Sequence, residues 1–348
     1  MATRAQGEVV GLVLCAGLGT RLRPLTDRVP KPAAPVGGVP LVQWALALLA
    51  GAGVRRVVVN THHLAGEMAG AARRAAEAVG VALEVSHEPA IAGTGGALRE
   101  ARRFLSAADE LLVLNGDVLF DVDLAAALAA HRRSGALASM VLMPMPAGAT
   151  YNAVEVDRAG LVRRIARDFG PGGEGLAPFH FSGVHVMSRA VLDAVPAEPF
   201  ESDVNRKVYP ALMERGQLRA QVVEGYWNDL GTPERYLAAN RDLLAGKVPL
   251  GRFQGADPYQ GLVERERGLW VAPGAVTDGA VLRGPVLIRS GAGAEAGAEV
   301  GPGVVLGEGA WVEKGAAVRD AVIWAGTRVK EGERVEGGIA AGELRVKG

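Results

Sequence analysis

Two glycines, an arginine and a lysine lie close together near the start of the chain, in Ala16-Gly17-Leu18-Gly19-Thr20-Arg21 and Pro30-Lys31-Pro32. Glycines let the backbone turn tightly and approach a ligand with no Cβ in the way. Successive N–H groups in such a turn can cradle phosphate oxygens. Arg21 adds a planar fork of donors matched to phosphate. Lys31 rides on a stiff segment, because both flanking prolines fix φ. Together these groups suit a nucleoside triphosphate attacked at its α-phosphate. Two commoner phosphate motifs are missing. Leu22 stands where a dinucleotide fingerprint has its third glycine, and no GxxxxGK[ST] occurs. Further on, Asp117 and Asp229 each follow a short apolar run. A carboxylate there suits Mg²⁺, or simply turns the chain.

These residues need elements that gather them. The apolar run Val9 to Cys15 reads as a buried strand. Strands are also expected over residues 54–60, 81–85 and 111–114, with helices over 40–49, 64–79 and 96–104. Strands alternating with helices argue for an α/β domain, a Rossmann-like three-layer unit with a mostly parallel sheet. Ligands gather at the carboxyl ends of such strands. The glycine turn, the stretch 88–96 and Asn115-Gly116-Asp117 all follow predicted strands, so they are expected to line one crevice.

The 348 residues allow one large domain and a smaller one. With 49% hydrophobic and 22% charged residues, the chain reads as a soluble globular protein. The 38 Lys and Arg balance the 38 Asp and Glu, so charge points to neither nucleic acid nor a membrane as partner. The single cysteine, Cys15, excludes an internal disulfide and fits a reducing cytoplasm. It is read as packing in the first strand rather than as a nucleophile. No apolar stretch reaches transmembrane length. Arg4 precedes an apolar run that flows into the glycine turn without a cleavage site, which argues against a signal peptide.

The last quarter is periodic. Trp270, Val276, Leu282, Ile288, Ala294, Val300, Leu306, Val312, Val318 and Trp324 recur every six residues, with small or β-branched residues four later and glycines between. This is the hexapeptide signature of a parallel, left-handed β-helix. The phase slips after Trp324 and resumes at Val329 and Val335. Trp270 and Trp324 fall on the inward phase, where they are expected to plug the ends. Trp311 falls off it and is a candidate contact surface. The expected division is a catalytic domain over 1–245, a linker over 246–268, the β-helix over 269–340 and a tail over 341–348. A homo-oligomer built through the β-helix is expected, with some chemistry surviving deletion of 269–348.

The string Ala16-Gly17-x-Gly19-Thr20-Arg21-Leu22-x-Pro24-Leu25-Thr26, then Pro30-Lys31-Pro32, Pro35-Val36 and Pro40-Leu41, resembles the N-terminal signature of the sugar-1-phosphate nucleotidylyltransferases. Trp227-Asn228-Asp229-Leu230-Gly231-Thr232-Pro233 resembles their closing motif, with Thr232 and Pro233 opening a helix to Leu244. The resemblance implies that a sugar 1-phosphate is joined to a nucleoside triphosphate with release of pyrophosphate. It implies Arg21 and Lys31 as catalytic groups and Asp117 and Asp229 as ligands of Mg²⁺. Ala16, Gly17, Gly19, Thr20, Gly93 and Thr94 would bind the nucleotide, with Glu88 and Gly93 reading the base. A carboxylate at Glu88 can accept from N1–H and the amine of guanine, which favours GTP, with mannose 1-phosphate or a related sugar. UTP or dTTP with a glucose-type sugar is the alternative. Asn152, Ser182 and Gly183 are implied as sugar contacts. Where many relatives carry Glu-Lys-Pro, this chain reads Ala166-Arg167-Asp168, so Arg167 is expected to grip the sugar phosphate, with Lys207 as second candidate. Two other classes are weighed. A non-catalytic regulatory subunit would lose phosphate or metal groups, and here Arg21, Lys31, Asp117 and Asp229 all remain. An acyltransferase is opposed by the β-helix, which contains no histidine to act as base.

Overall fold

The computed structural model describes residues 7–146, 148 and 151–348. Arg4 lies outside them. Contacts divide the chain into two compact units, Met1–Gly17 with Ala45–Trp227, and Leu18–Trp44 with Asn228–Gly348. This division is not the linear one expected, because the signature segment 18–44 groups with the C-terminal residues.

The first unit is a nine-stranded sheet with helices. Val9–Leu14 pairs in parallel with Arg56–Thr61 on one side and Glu110–Asn115 on the other, and Arg56–Thr61 pairs in parallel with Ala82–His87. This is the expected Rossmann-like α/β half. The long strand Ala177–Ser188 then runs antiparallel to Glu110–Asn115 and carries Ala138–Pro144 and Val154–Val156. Strands buried on both faces need unbroken apolar runs, and VVGLVL and ELLVLN supply them. One core joins Leu12, Val58, Leu111, Val113, Met140 and Tyr209. The helix predicted over 96–104 is two helices, Gly93–Glu100 and Arg102–Leu105. The helix predicted from Pro40 begins at Leu41, because Pro40 closes a small hairpin with Pro35. No helix among the described residues is long and apolar enough to cross a membrane.

His185 shows what that core demands. It is buried, with Nδ1 2.7 Å from the Tyr209 hydroxyl. Burial pushes its pKa down to about 3, so the ring is neutral. The unfolded chain binds this proton near pH ~6.5, and the folded chain does not until about 3. This contribution to stability is therefore complete above pH ~6.5 and is lost as pH falls from there, at about 1.4 kcal/mol per unit. His131 and His180 are shifted in the same direction, chiefly by burial. The urea midpoint is expected to fall clearly between pH 7.5 and 5.5. A constant midpoint would contradict it.

The second unit contains the β-helix. Its three faces are parallel ladders, one through Leu269–Val271, Val286–Ile288, Val304–Leu306, Ala321–Ile323 and Gly338–Ala341, one starting at Val281–Leu282 and one at Gly293–Ala294. Ile288, Ala294, Val300, Leu306, Val312 and Val318 stack inward as the period predicts. The two end tryptophans do not. Leu269 and Val271 fill the first coil, and Ile323 fills the later one. Trp270 therefore faces out and packs on Tyr259, ring centroids 4.8 Å apart, while Trp324 faces Tyr236. The slip comes before Trp324, at Asp320, whose φ of 48° compresses the turn. A one-residue slip turns every following side chain to the other face. Trp311 lies over Gly293 on the outside of its own coil, with Nε1 donating to Glu295 at 2.9 Å.

Candidate active site

Of the expected nucleotide residues, Ala16, Gly17, Glu88, Gly93 and Thr94 belong to the first unit and Gly19 and Thr20 to the second. Glu88 is fully buried, and both carboxylate oxygens are taken. Oε1 accepts from Asn60 Nδ2 at 2.7 Å and Oε2 from the Ala92 amide at 3.0 Å. Asn60 in turn accepts from the Cys15 amide at 2.7 Å. Glu88 thus ties together the ends of three strand–loop junctions. It does not present a free carboxylate to a base. Glu88→Ala is expected to strand two buried donors and cost about 2–5 kcal/mol of stability. Urea unfolding alongside base preference checks this. Wild-type stability with altered base choice would restore a direct reading role.

The glycines after Glu88 have a packing reason. Gly93 has φ 70°, and a Cβ there would lie 2.7 Å from the Ser202 carbonyl. The Gly95 and Gly96 amides donate to that carbonyl at 2.7 and 3.1 Å, and the Ser202 amide donates to Ala92 at 2.8 Å. The start of the helix Gly93–Glu100 is therefore capped by backbone from residue 202. Gly116 is similarly tight, since a side chain there would strike the Cys15 sulfur. Cys15 is buried, and burial with the nearby Asp117 charge holds its thiol well above the ordinary range. It is no nucleophile, as expected.

The expected sugar residues separate. Asn152 lines a cavity of about 240 Å³ with Phe169, Asp203, Asn205 and Arg206. Arg167 and Lys207 are exposed and do not line it. Arg206 lies over the Phe169 ring at 5.3 Å. Asp203 accepts from the Asn205 amide at 2.7 Å and so caps the short helix that carries Arg206. Ser182 is turned inward, its hydroxyl donating to Val141 O at 2.7 Å. It sits in a bulge of the long strand, beside Gly183 with φ 100°. Its carbonyl accepts from Trp227 Nε1 at 2.8 Å. Sequence reading missed Arg206, which one helical turn places beside residues distant in the chain.

In the second unit, three cations gather at one residue, Asp229, two at its carboxylate and one at its main-chain carbonyl. Lys31, only 5% exposed, donates from Nζ to the Asp229 carbonyl at 2.6 Å. Arg235 Nη1 donates to both Asp229 carboxylate oxygens at 2.8 Å. The Arg21 guanidinium is 3.9 Å from the same carboxylate and 65% exposed. It lies over Gly231, where any side chain would collide with it. Gly19, with φ 61°, packs against Thr26 and Lys31. Thr26 donates to the Gly19 carbonyl at 2.9 Å and closes the turn. Thr232 caps the helix Pro233–Leu244, accepting from the Arg235 amide, as predicted. Arg235 was not foreseen; its only signal was a cation in the first turn after Thr232-Pro233.

A family model described as nucleotidyl transferase matches residues 10–246. The chain belongs to the nucleotidyl transferase family. Among curated proteins, a mannose-1-phosphate guanylyltransferase of Mycobacterium tuberculosis is 32% identical over 335 residues, 95% of this chain and 84% of that one. A mannose-1-phosphate guanylyltransferase catalytic subunit beta of Drosophila pseudoobscura pseudoobscura is 30% identical over 233 residues, 65% of this chain and 60% of that one. Among solved structures, a Bacillus anthracis protein described as a glucose-1-phosphate thymidylyltransferase in complex with sucrose has a TM-score of 0.59 at 20% identity. It covers 70% of this chain and 98% of that one. This likeness is one of fold. The protein is thus a nucleotidyltransferase, of a family that uses a divalent metal. No group of three or more His, Cys, Asp or Glu side chains among the described residues forms a metal cage. Of the two expected metal ligands, Asp229 has both carboxylate oxygens on Arg235.

Proposed function

We propose that this nucleotidyltransferase joins GTP and mannose 1-phosphate, or a closely related sugar phosphate, to give the nucleotide sugar and pyrophosphate. The observation that carries the reading is the gathering of Arg21, Lys31 and Arg235 around Asp229 behind a glycine turn. Such a cluster suits a triphosphate whose α-phosphorus is attacked in line. A sugar phosphate oxygen forms the new bond to the α-phosphorus as the bond to pyrophosphate breaks. That oxygen is already anionic, so no general base is needed. Arg21 stabilises charge that develops on the phosphoryl oxygens. Lys31, buried and held on the Asp229 carbonyl, offers a fixed charge beside it. Asp117 and Asp229 would hold Mg²⁺, which when bound adds charge neutralisation at the phosphates. Arg206, in the cavity with Asn152, is our candidate for the sugar-phosphate cation, in place of Arg167.

Support for guanine comes from similarity to one guanylyltransferase along 95% of the chain and to others along about 65%, not from Glu88, whose oxygens are occupied. The test is a panel of four nucleoside triphosphates against several sugar 1-phosphates with Mg²⁺, read as pyrophosphate. GTP with mannose 1-phosphate should turn over fastest. A clear preference for UTP or dTTP would overturn the guanylyl assignment and leave the reaction class standing.

A further inference from the structure

The signature segment does not end at Lys31. Four residues later the chain enters a hairpin over residues 35–40, with Gly37 and Gly38 at its tip. Both tip glycines have positive φ, 59° and 80°. The tip is enclosed. The Gly37 amide donates to Asn240 Oδ1 at 2.9 Å, and a side chain there would strike Leu243. A Cβ on Gly38 would lie 3.1 Å from Arg289, a β-helix residue whose Nη1 donates to the Pro258 carbonyl at 2.7 Å. The hairpin therefore docks on the helix Pro233–Leu244 and on the β-helix together.

One hydroxyl joins all three. Tyr236 is fully buried, and its hydroxyl contacts both the Pro35 carbonyl and Trp324 Nε1, the latter at 2.9 Å. The direction is set by chemistry. Indole N–H only donates and a carbonyl only accepts, so the hydroxyl accepts from Trp324 and donates to Pro35. Pro35 lies just beyond Lys31, and Tyr236 directly follows Arg235. The same hydroxyl thus references both sides of the cation cluster, the lysine segment and the helix start beside Asp229.

We infer that Tyr236 and Trp324 are positioning residues for nucleotidyl transfer, and that the β-helix, through Trp324, holds Lys31 in register with Asp229. The inference deepens the proposed reaction and rests on it. Lys31 is useful only if its charge waits where the phosphate will sit, and misplacement by about 1 Å can cost about 10²-fold in rate. A proline-braced segment is stiff, but its direction depends on where it is anchored. Pro35 is that anchor, and its carbonyl is held by a residue packed on the repeat domain.

Tyr236→Phe keeps the ring and its packing and removes the bridge. Its kcat should fall by about tenfold or more, while KM for the sugar 1-phosphate stays within about twofold. The melting temperature should drop by several degrees, because the Trp324 indole and the Pro35 carbonyl lose a partner, with the protein still fully folded at the assay temperature. Deuterium exchange in peptides covering residues 31–41 should quicken by about tenfold. Trp324→Phe should shift both readouts in the same direction. The double variant should be little worse than Tyr236→Phe, since both remove contacts at one hydroxyl. Wild-type kcat or wild-type exchange over 31–41 in Tyr236→Phe overturns the inference, as does a fall in kcat matched by loss of folded protein. If wild-type protein releases no pyrophosphate at all, the reaction assignment fails instead, and the exchange measurement still judges the positioning.

Discussion

Arg21→Ala should lower kcat by about 10²–10³-fold with no loss of fold. Removing one preorganised donor aimed at developing phosphoryl charge costs about that much. The fold is spared because Arg21 is 65% exposed and its carboxylate contact is long, 3.9 Å. A surface pair of that kind is worth about 0–1 kcal/mol. Asp117→Ala should act at least as strongly on pyrophosphate release, because it removes an oxygen donor for the ion. Pyrophosphate release at saturating triphosphate and Mg²⁺, with circular dichroism melts, decides both. Near-normal turnover in either variant would sink the mechanism. Normal turnover only at high Mg²⁺ in Asp117→Ala would instead mark that carboxylate as setting metal affinity.

Deleting residues 269–348 should yield a protein that aggregates and releases no pyrophosphate. This reverses the expectation from sequence, where every catalytic candidate precedes Leu244 and the tail reads as separable. The helix Pro233–Leu244 packs against the strands Ala321–Ile323, Gly338–Ala341 and Leu344–Lys347. Truncation uncovers Tyr236 and Leu237, both buried, and removes Trp324 and Arg289 from their contacts. Each large apolar side chain exposed costs about 1.5–3 kcal/mol. The two together cost about 3–6 kcal/mol, a large share of the stability of an ordinary domain, about 5–15 kcal/mol. The ion pair of Arg241 with Asp320 is lost as well, though on the surface it weighs little. Solubility, a thermal melt and the pyrophosphate assay on the truncated chain check the prediction. A soluble, active fragment would show that the catalytic segments fold without the repeat.

The sequence by itself determined those features that are local or periodic. Val9–Leu14 and Glu110–Asn115 are strands because their apolar runs suit a sheet covered on both faces. Thr232-Pro233 opens a helix because the hydroxyl and the fixed φ act within one turn. The six-residue period places Ile288 through Val318 inside the coil, because side-chain direction follows from position along a strand. The signature string carried the family, and Arg21, Lys31 and Asp229 do come together in the second unit. Only the tertiary structure decided which groups satisfy one another. Glu88 looked like a base reader until Asn60 and Ala92 took its oxygens. Ser182 turns its hydroxyl inward to Val141. Trp324 looked like an inward plug until φ at Asp320 shifted the phase and gave it to Tyr236. In each case a buried polar or aromatic group takes a partner 28 to 88 residues away. The cost of leaving such a group unpaired is set by what surrounds it, and spacing along the chain carries no record of that.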